Sequence, residues 1–117
     1  LNGIDTPEQN QTCKRAGITW RCGYEATETL RNWTYTKEVR CIGDTKDRYG
    51  RLIANCFVDG YNVNARLVYE GLALAYRKYS KQYVPEEDKA RAAKRGMWAG
   101  EFVAPWDWRK GKRITSE

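Results

Sequence analysis

At 117 residues the chain has room for one domain with a modest core. Hydrophobic residues make up 41% and charged residues 31%, and no apolar run approaches the length of a membrane span. Lys and Arg outnumber Asp and Glu by 21 to 15, a net +6 that favours polyanionic partners such as nucleic acid, acidic polysaccharide or anionic lipid. The chain has no histidine, which removes Ser-His-Asp and Cys-His catalysis and histidine-ligated zinc. No two of the four cysteines form a Cys-x-x-Cys pair, which argues against a zinc knuckle.

The chain begins at Leu1 inside a motif, so a processed form or an excised fragment is expected, with any targeting signal upstream. Leu1-Asn2-Gly3-Ile4 is a short apolar run that could finish a strand. Asp5-Thr6-Pro7-Glu8 follows as a turn or strand end. Its carboxylate and threonine oxygens suit a hard cation such as Ca²⁺, and a second carboxylate three residues on could take a proton from a metal-adjacent water. The same tetrapeptide is also a common way to open a helical turn.

Gln9 to Gly23 is polar and reads as a loop closed by Cys13 and Cys22. Tyr24 to Tyr35 reads as a helix with Ala26, Leu30 and Trp33 forming one apolar stripe. Val39–Ile42 and Leu52–Val58 have strand composition and flank a turn-rich middle, Gly43-Asp44 and Asp47-Arg48-Tyr49-Gly50-Arg51, which predicts a hairpin with a long loop. Cys41 and Cys56 stand near mirror positions about that loop, within bridging reach. Arg51 opens the second strand, where a charged group can be held accurately; an ordinary solvated arginine in a surface turn would look the same.

Spacing therefore favours Cys13–Cys22 and Cys41–Cys56, each bridge contributing on the order of 3 kcal/mol in the chain-entropy model. Disulfides imply an oxidising compartment, the periplasm or the outside of the cell; four buried thiols in a cytosolic protein are the alternative.

Asp59-Gly60 is a turn, and Asn62 caps a predicted helix from Val63 to Glu70 that Gly71 stops. Leu72 to Tyr76 is a short apolar run with strand composition. Tyr76, Tyr79 and Tyr83 then alternate with Arg77, Lys78 and Lys81, a composition suited to stacking bases and holding phosphates, although each ring could equally pack at the rim of the core. Pro85 opens a helix through Arg95, with acidic residues in its first turn and Gly96 as its stop. Met97, Trp98, Phe102, Pro105, Trp106 and Trp108 predict an aromatic tail folded over the body, and Arg109 to Arg113 a frayed basic end.

Six motifs stand in order along the chain: Gly-Ile-Asp-Thr-Pro-Glu at 3–8, Gly-x-Glu-Ala at 23–26, Asp-Arg-Tyr-Gly-Arg at 47–51, Asp-Gly-x-x-Val-Asn at 59–64, Leu-Val-x-x-Gly-Leu-Ala at 67–73 and Gly-Met-Trp at 96–98. In order and spacing they resemble the staphylococcal nuclease (thermonuclease-like) family. That resemblance implies an α+β OB-fold, a five-stranded barrel with three helices, and Ca²⁺-dependent endonucleolytic cleavage of DNA and RNA phosphodiesters. It implies Asp5 as a Ca²⁺ ligand, Thr6 as a ligand through its carbonyl, Glu8 as the group that orients or deprotonates water, and Arg51 as the phosphate-binding arginine.

Tyr49 and Tyr76 fall where the family places nucleotide-contacting tyrosines, with Arg48 and Lys78 on the same basic face. The family pattern has a further Ca²⁺-ligating aspartate and a further arginine on strands ahead of the Gly-Ile-Asp motif. Residues 1–117 are accordingly expected to be one domain that lacks its first strands and is nearly inactive by itself. The four cysteines resemble those of exported bacterial relatives. A non-catalytic OB-fold module that binds nucleic acid or acidic polysaccharide is the alternative, since some relatives have lost catalysis and others are named for exopolysaccharide gene neighbourhoods.

Overall fold

The computed structural model describes residues 3–46, 52–77 and 81–114. Seven short strands and four helices alternate along them. In chain order they are β1 (Ile4–Asp5), β2 (Cys13–Arg15), β3 (Ile18–Trp20), α1 (Cys22–Thr34), β4 (Arg40–Lys46), β5 (Leu52–Val58), β6 (Tyr61–Asn62), α2 (Val63–Tyr69), β7 (Leu74–Ala75), α3 (Val84–Ala93) and α4 (Pro105–Trp108), with a 3₁₀ turn over Gly96–Ala99.

The strands form three separate antiparallel ladders, β1–β7, β2–β3 and β4–β5–β6. Among the described residues they do not close into the five-stranded barrel that the resemblance implies. β1 offers only two ladder positions, Ile4 opposite Ala75 and Asp5 opposite Leu74, too few to carry the sheet on to the hairpin.

The predicted hairpin is present in a longer form. Cys41 lies opposite Cys56, and a register shift between Ile42 and Thr45 absorbs Gly43-Asp44 as a bulge, so β4 runs on to Lys46 where the sequence predicts a turn. Gln9–Gly23 also holds more structure than expected. β2 and β3 pair across a tight turn at Ala16-Gly17, both at positive φ. Strands of three residues are too short to show a period-2 pattern.

Two apolar clusters make the core. One gathers Ile4, Val58, Val63, Leu67, Val68, Ala73, Ala75 and Tyr83, with Leu30 and Trp33 of the α1 stripe packed against it. The other joins Cys13, Cys22, Leu74 and Met97, covered by Trp20, Trp98, Phe102, Ala104 and Trp106. Alternation along β7 sends Ala73 and Ala75 to the first cluster and Leu74 to the second, which ties the two together.

Several motif residues have a packing reason. Asn62 caps α2 by accepting from the Ala65 amide at 3.0 Å. Buried Asn64 accepts from the Cys56 amide (3.1 Å) and donates to the Ala54 carbonyl (3.3 Å), which fastens β5 to α2. At Gly71 (φ +75°) a Cβ would lie 2.1 Å from the Arg95 carbonyl oxygen, so this glycine lets the turn after α2 meet the chain after α3. The Met97 amide donates to the Gly71 carbonyl across that contact.

Tyr83 departs from its predicted place on a base-stacking face. It is buried in the core; its hydroxyl donates to Asn55 Oδ1 (2.7 Å) and accepts from Asn62 Nδ2 (2.9 Å). A phenol with two amide partners is satisfied inside, so burial of its ring carries no polar penalty. Glu87 is also buried, not a solvated first-turn acid: it accepts from the Ala75 amide at 2.9 Å and pairs with Arg77 at 2.7 Å, which joins β7 to α3.

Candidate active site

Ile4 faces the core, so the next residue, Asp5, points the other way, and its side chain is only 12% exposed. Glu8 follows on a turn held from behind. The Glu8 amide donates to Gln11 Oε1 (3.2 Å), and the Gln11 amide donates to the Glu8 carbonyl (2.8 Å). Gly23, in the first turn of α1, packs against the same carbonyl so closely that a Cβ would sit 1.7 Å from it. That contact explains the glycine of the Gly-x-Glu-Ala motif. The Cys13–Cys22 disulfide closes the loop beside it, with both sulfurs buried.

A guanidinium that the sequence did not single out completes the cluster. Arg109 Nη1 donates to Asp5 Oδ1 (3.1 Å) and Glu8 Oε2 (2.8 Å), while its Nη2 donates to Asp5 Oδ2. Its pKa is raised from the ordinary value, first by the hydrogen bond to Asp5 and then by that to Glu8, with burial opposing. Arg109 stays charged throughout, and both Asp5 oxygens and one Glu8 oxygen are taken up by it.

This corrects the expectation of a frayed basic end. Pro105 and Val103 are buried, the Lys112 amide donates to the Asp107 carbonyl (3.1 Å), and Arg113 lies 3.5 Å over the Trp108 ring while donating to the Trp108 carbonyl. The run is folded because Arg109 meets two carboxylates and Arg113 a ring and two carbonyls.

Tyr76 lies just past β7, its amide donating to the Gly3 carbonyl at 2.9 Å. Its ring stacks on Trp106 of α4 at 5.0 Å and 7° between planes. Asp5, Glu8, Tyr76, Trp106 and Arg109 therefore gather where β1, β7 and α4 meet. Of the other predicted site residues, Thr6 stands between the two carboxylates in the chain, while Arg48, Tyr49, Arg51 and Lys78 lie outside the described residues. Asp5 and Glu8 are hard oxygen donors of the kind Ca²⁺ takes. Among the described residues no group of three or more acidic, cysteine or histidine side chains could hold a metal ion.

The family model for staphylococcal nuclease homologues matches residues 1–100. The chain belongs to the staphylococcal nuclease family. Its relatives include an uncharacterized endonuclease of Haemophilus influenzae, 32% identical over 98% of this chain and 61% of its own length. Staphylococcal-like nuclease CAN1 of Arabidopsis thaliana is 33% identical over 97% of this chain and 33% of its own length. Succinoglycan biosynthesis protein ExoI of Rhizobium meliloti is 33% identical over 84% of this chain and 53% of its own length. The chain thus spans between about a third and three fifths of these family members. Arg109 and α4 lie beyond the stretch that the family model matches but within the length over which the first two relatives align.

Proposed function

We propose that this chain carries the catalytic carboxylates of an exported, Ca²⁺-dependent endonuclease that hydrolyses DNA and RNA phosphodiesters. The observation that carries the proposal is the convergence of Asp5 and Glu8 on one partly buried cationic centre beside an aromatic stack. A binding module for polyanions has little use for two carboxylates facing its ligand. In this proposal Asp5 and the Thr6 carbonyl hold the ion, and Glu8 orients the attacking water and takes its proton. Bound Ca²⁺ would supply positive charge against the phosphate. Arg51 receives the charge that gathers on the non-bridging oxygens as the bond to the leaving group breaks.

In this proposal Arg48, Tyr49 and Lys78 bind the nucleic acid. Tyr76, backed by Trp106, offers a ring edge to a nucleotide sugar or base. The two disulfides suit a periplasmic or secreted protein.

A second reading has its own support: Arg109 already pairs with both carboxylates, and one relative is named for succinoglycan biosynthesis. In that case the same face binds nucleic acid or acidic polysaccharide without cleaving it. A plasmid-nicking assay on the full-length protein, with and without Ca²⁺, separates the two. Arg51→Ala should lower turnover on the order of 10²-fold, and Glu8→Gln should lower turnover more than binding. A full-length protein that binds DNA but never nicks it establishes the binding module instead.

A further inference from the structure

We propose that Arg109 is the resident counter-cation of the Asp5–Glu8 pair and sets the concentration at which Asp5, with Glu8 facing it, accepts a divalent ion. The proposal rests on the metal-dependent reading above and adds a residue to it. Three contacts from one guanidinium occupy both oxygens of Asp5 and one of Glu8. A hard cation taken up by Asp5 must displace at least part of that fork, because a lone pair directed at an N–H is not free for a metal.

The segment that carries Arg109 is held in place from several sides. Gln11 donates through Nε2 to the Val103 carbonyl (2.7 Å) while its Oε1 accepts from the Glu8 amide, so one buried side chain fixes both the carboxylate turn and the segment leading to α4. Lys14 and Glu101 exchange backbone hydrogen bonds, and Trp106 stacks on Tyr76. Arg109 is therefore a standing competitor for the ion.

Charge gives the direction of the effect. Two carboxylates and one guanidinium leave −1 for an incoming ion, whereas a neutral side chain at 109 leaves −2. The Arg109 side chain is 40% exposed, so solvent screens the gain to about tenfold in affinity rather than several decades. If the fork served mainly to preorganise the carboxylates, its removal would weaken ion binding.

Ca²⁺ and Tb³⁺ titrations by calorimetry and tryptophan-sensitised luminescence, on the unaltered chain, Arg109→Gln and Arg109→Lys, test this directly. Arg109→Gln should take either ion about tenfold more tightly, Arg109→Lys should fall between, and adding Asp5→Asn should abolish the gain. In the unaltered protein, saturating Ca²⁺ should shift the Arg109 Nε–H resonance, a readout that needs no variant to fold. Equal or weaker ion binding by Arg109→Gln with an unchanged near-ultraviolet circular dichroism spectrum, an unmoved resonance at saturation, or no ion binding by any form overturns the proposal. Tighter binding without any plasmid nicking by the full-length protein would sink the nuclease reading and leave Arg109's role standing. Ca²⁺-dependent nicking with no change in affinity at Arg109→Gln would do the reverse.

Discussion

The two disulfides brace two regions built on different plans. Cys13–Cys22 lies wholly inside the second core cluster, beside the turn that carries Glu8, where Gln11 and Gly23 hold the same few residues. Cys41–Cys56 links the strands of the hairpin, with Cys56 buried and Cys41 exposed on β4, next to an Ile42 that is 62% exposed. Loop entropy favours the hairpin bridge, which spans 15 residues against 9, but only by about 0.5 kcal/mol. Burial pulls harder in the other direction, because removing two enclosed sulfurs leaves a cavity or an unsatisfied polar group costing about 1–3 kcal/mol. Where a bridge sits should therefore outweigh how much chain it closes.

The sharpest way to break this contrast is to remove each bridge in turn. Cys13→Ser with Cys22→Ser should destabilise the protein by about 4–5 kcal/mol in urea unfolding. Cys41→Ser with Cys56→Ser should cost about 3 kcal/mol. The reverse order would show that loop length governs. Titration with a mild reductant sharpens it further: the half-exposed hairpin bridge should open first, and mass spectrometry after alkylation should find Cys41 and Cys56 labelled before Cys13 and Cys22.

The hairpin's other fastenings lie on β5. Asn64→Ala strands the Cys56 amide and the Ala54 carbonyl, and should cost about 2–3 kcal/mol in the same unfolding measurement. Tyr83→Phe should cost least, about 1 kcal/mol, through the lost bonds to Asn55 and Asn62.

Tyr83 also gives the fold a pH signature. Burial, its largest influence, raises the phenol pKa above 10.0; the hydrogen bond from Asn62 opposes, and Glu86 raises it slightly. A phenol that ionises more readily unfolded contributes stability that is fully present below about pH 10 and is lost as pH rises through the folded value. Stability should fall with pH in that alkaline range, and Tyr83→Phe should flatten the fall.

The long elements were legible because their signals are local. Ala26, Leu30 and Trp33 share a helical face, Asn62 caps α2, and the hairpin announces itself by two apolar runs about a turn. The carboxylates of the site were legible as a motif, Asp5 and Glu8 three residues apart. Their partner was not. Arg109 is 104 residues from Asp5, and within its own neighbourhood it is one cation in a basic run. No periodicity or spacing links them; only tertiary packing of Val103 and Pro105 does. Tyr83 was misplaced for a related reason, since a tyrosine among lysines reads as surface until its hydroxyl partners are known. The one-turn α4 and the three-residue strands β2 and β3 are too short for any periodic signal.

The hydrogen bond between Gln11 and the Val103 carbonyl bears on where a boundary for this domain can be drawn. The family match ends at residue 100, and a protein trimmed to that limit would retain Asp5, Thr6 and Glu8. It would lose Val103, Pro105, Trp106 and Arg109 together. Gln11 would then have a buried amide with no acceptor, Tyr76 no ring to lie on, and the two acids no countercharge. Such a trimmed version would satisfy the family model, yet its acidic pair would repel. Grafts and fusions meant to preserve this corner should carry the polypeptide through at least Arg113.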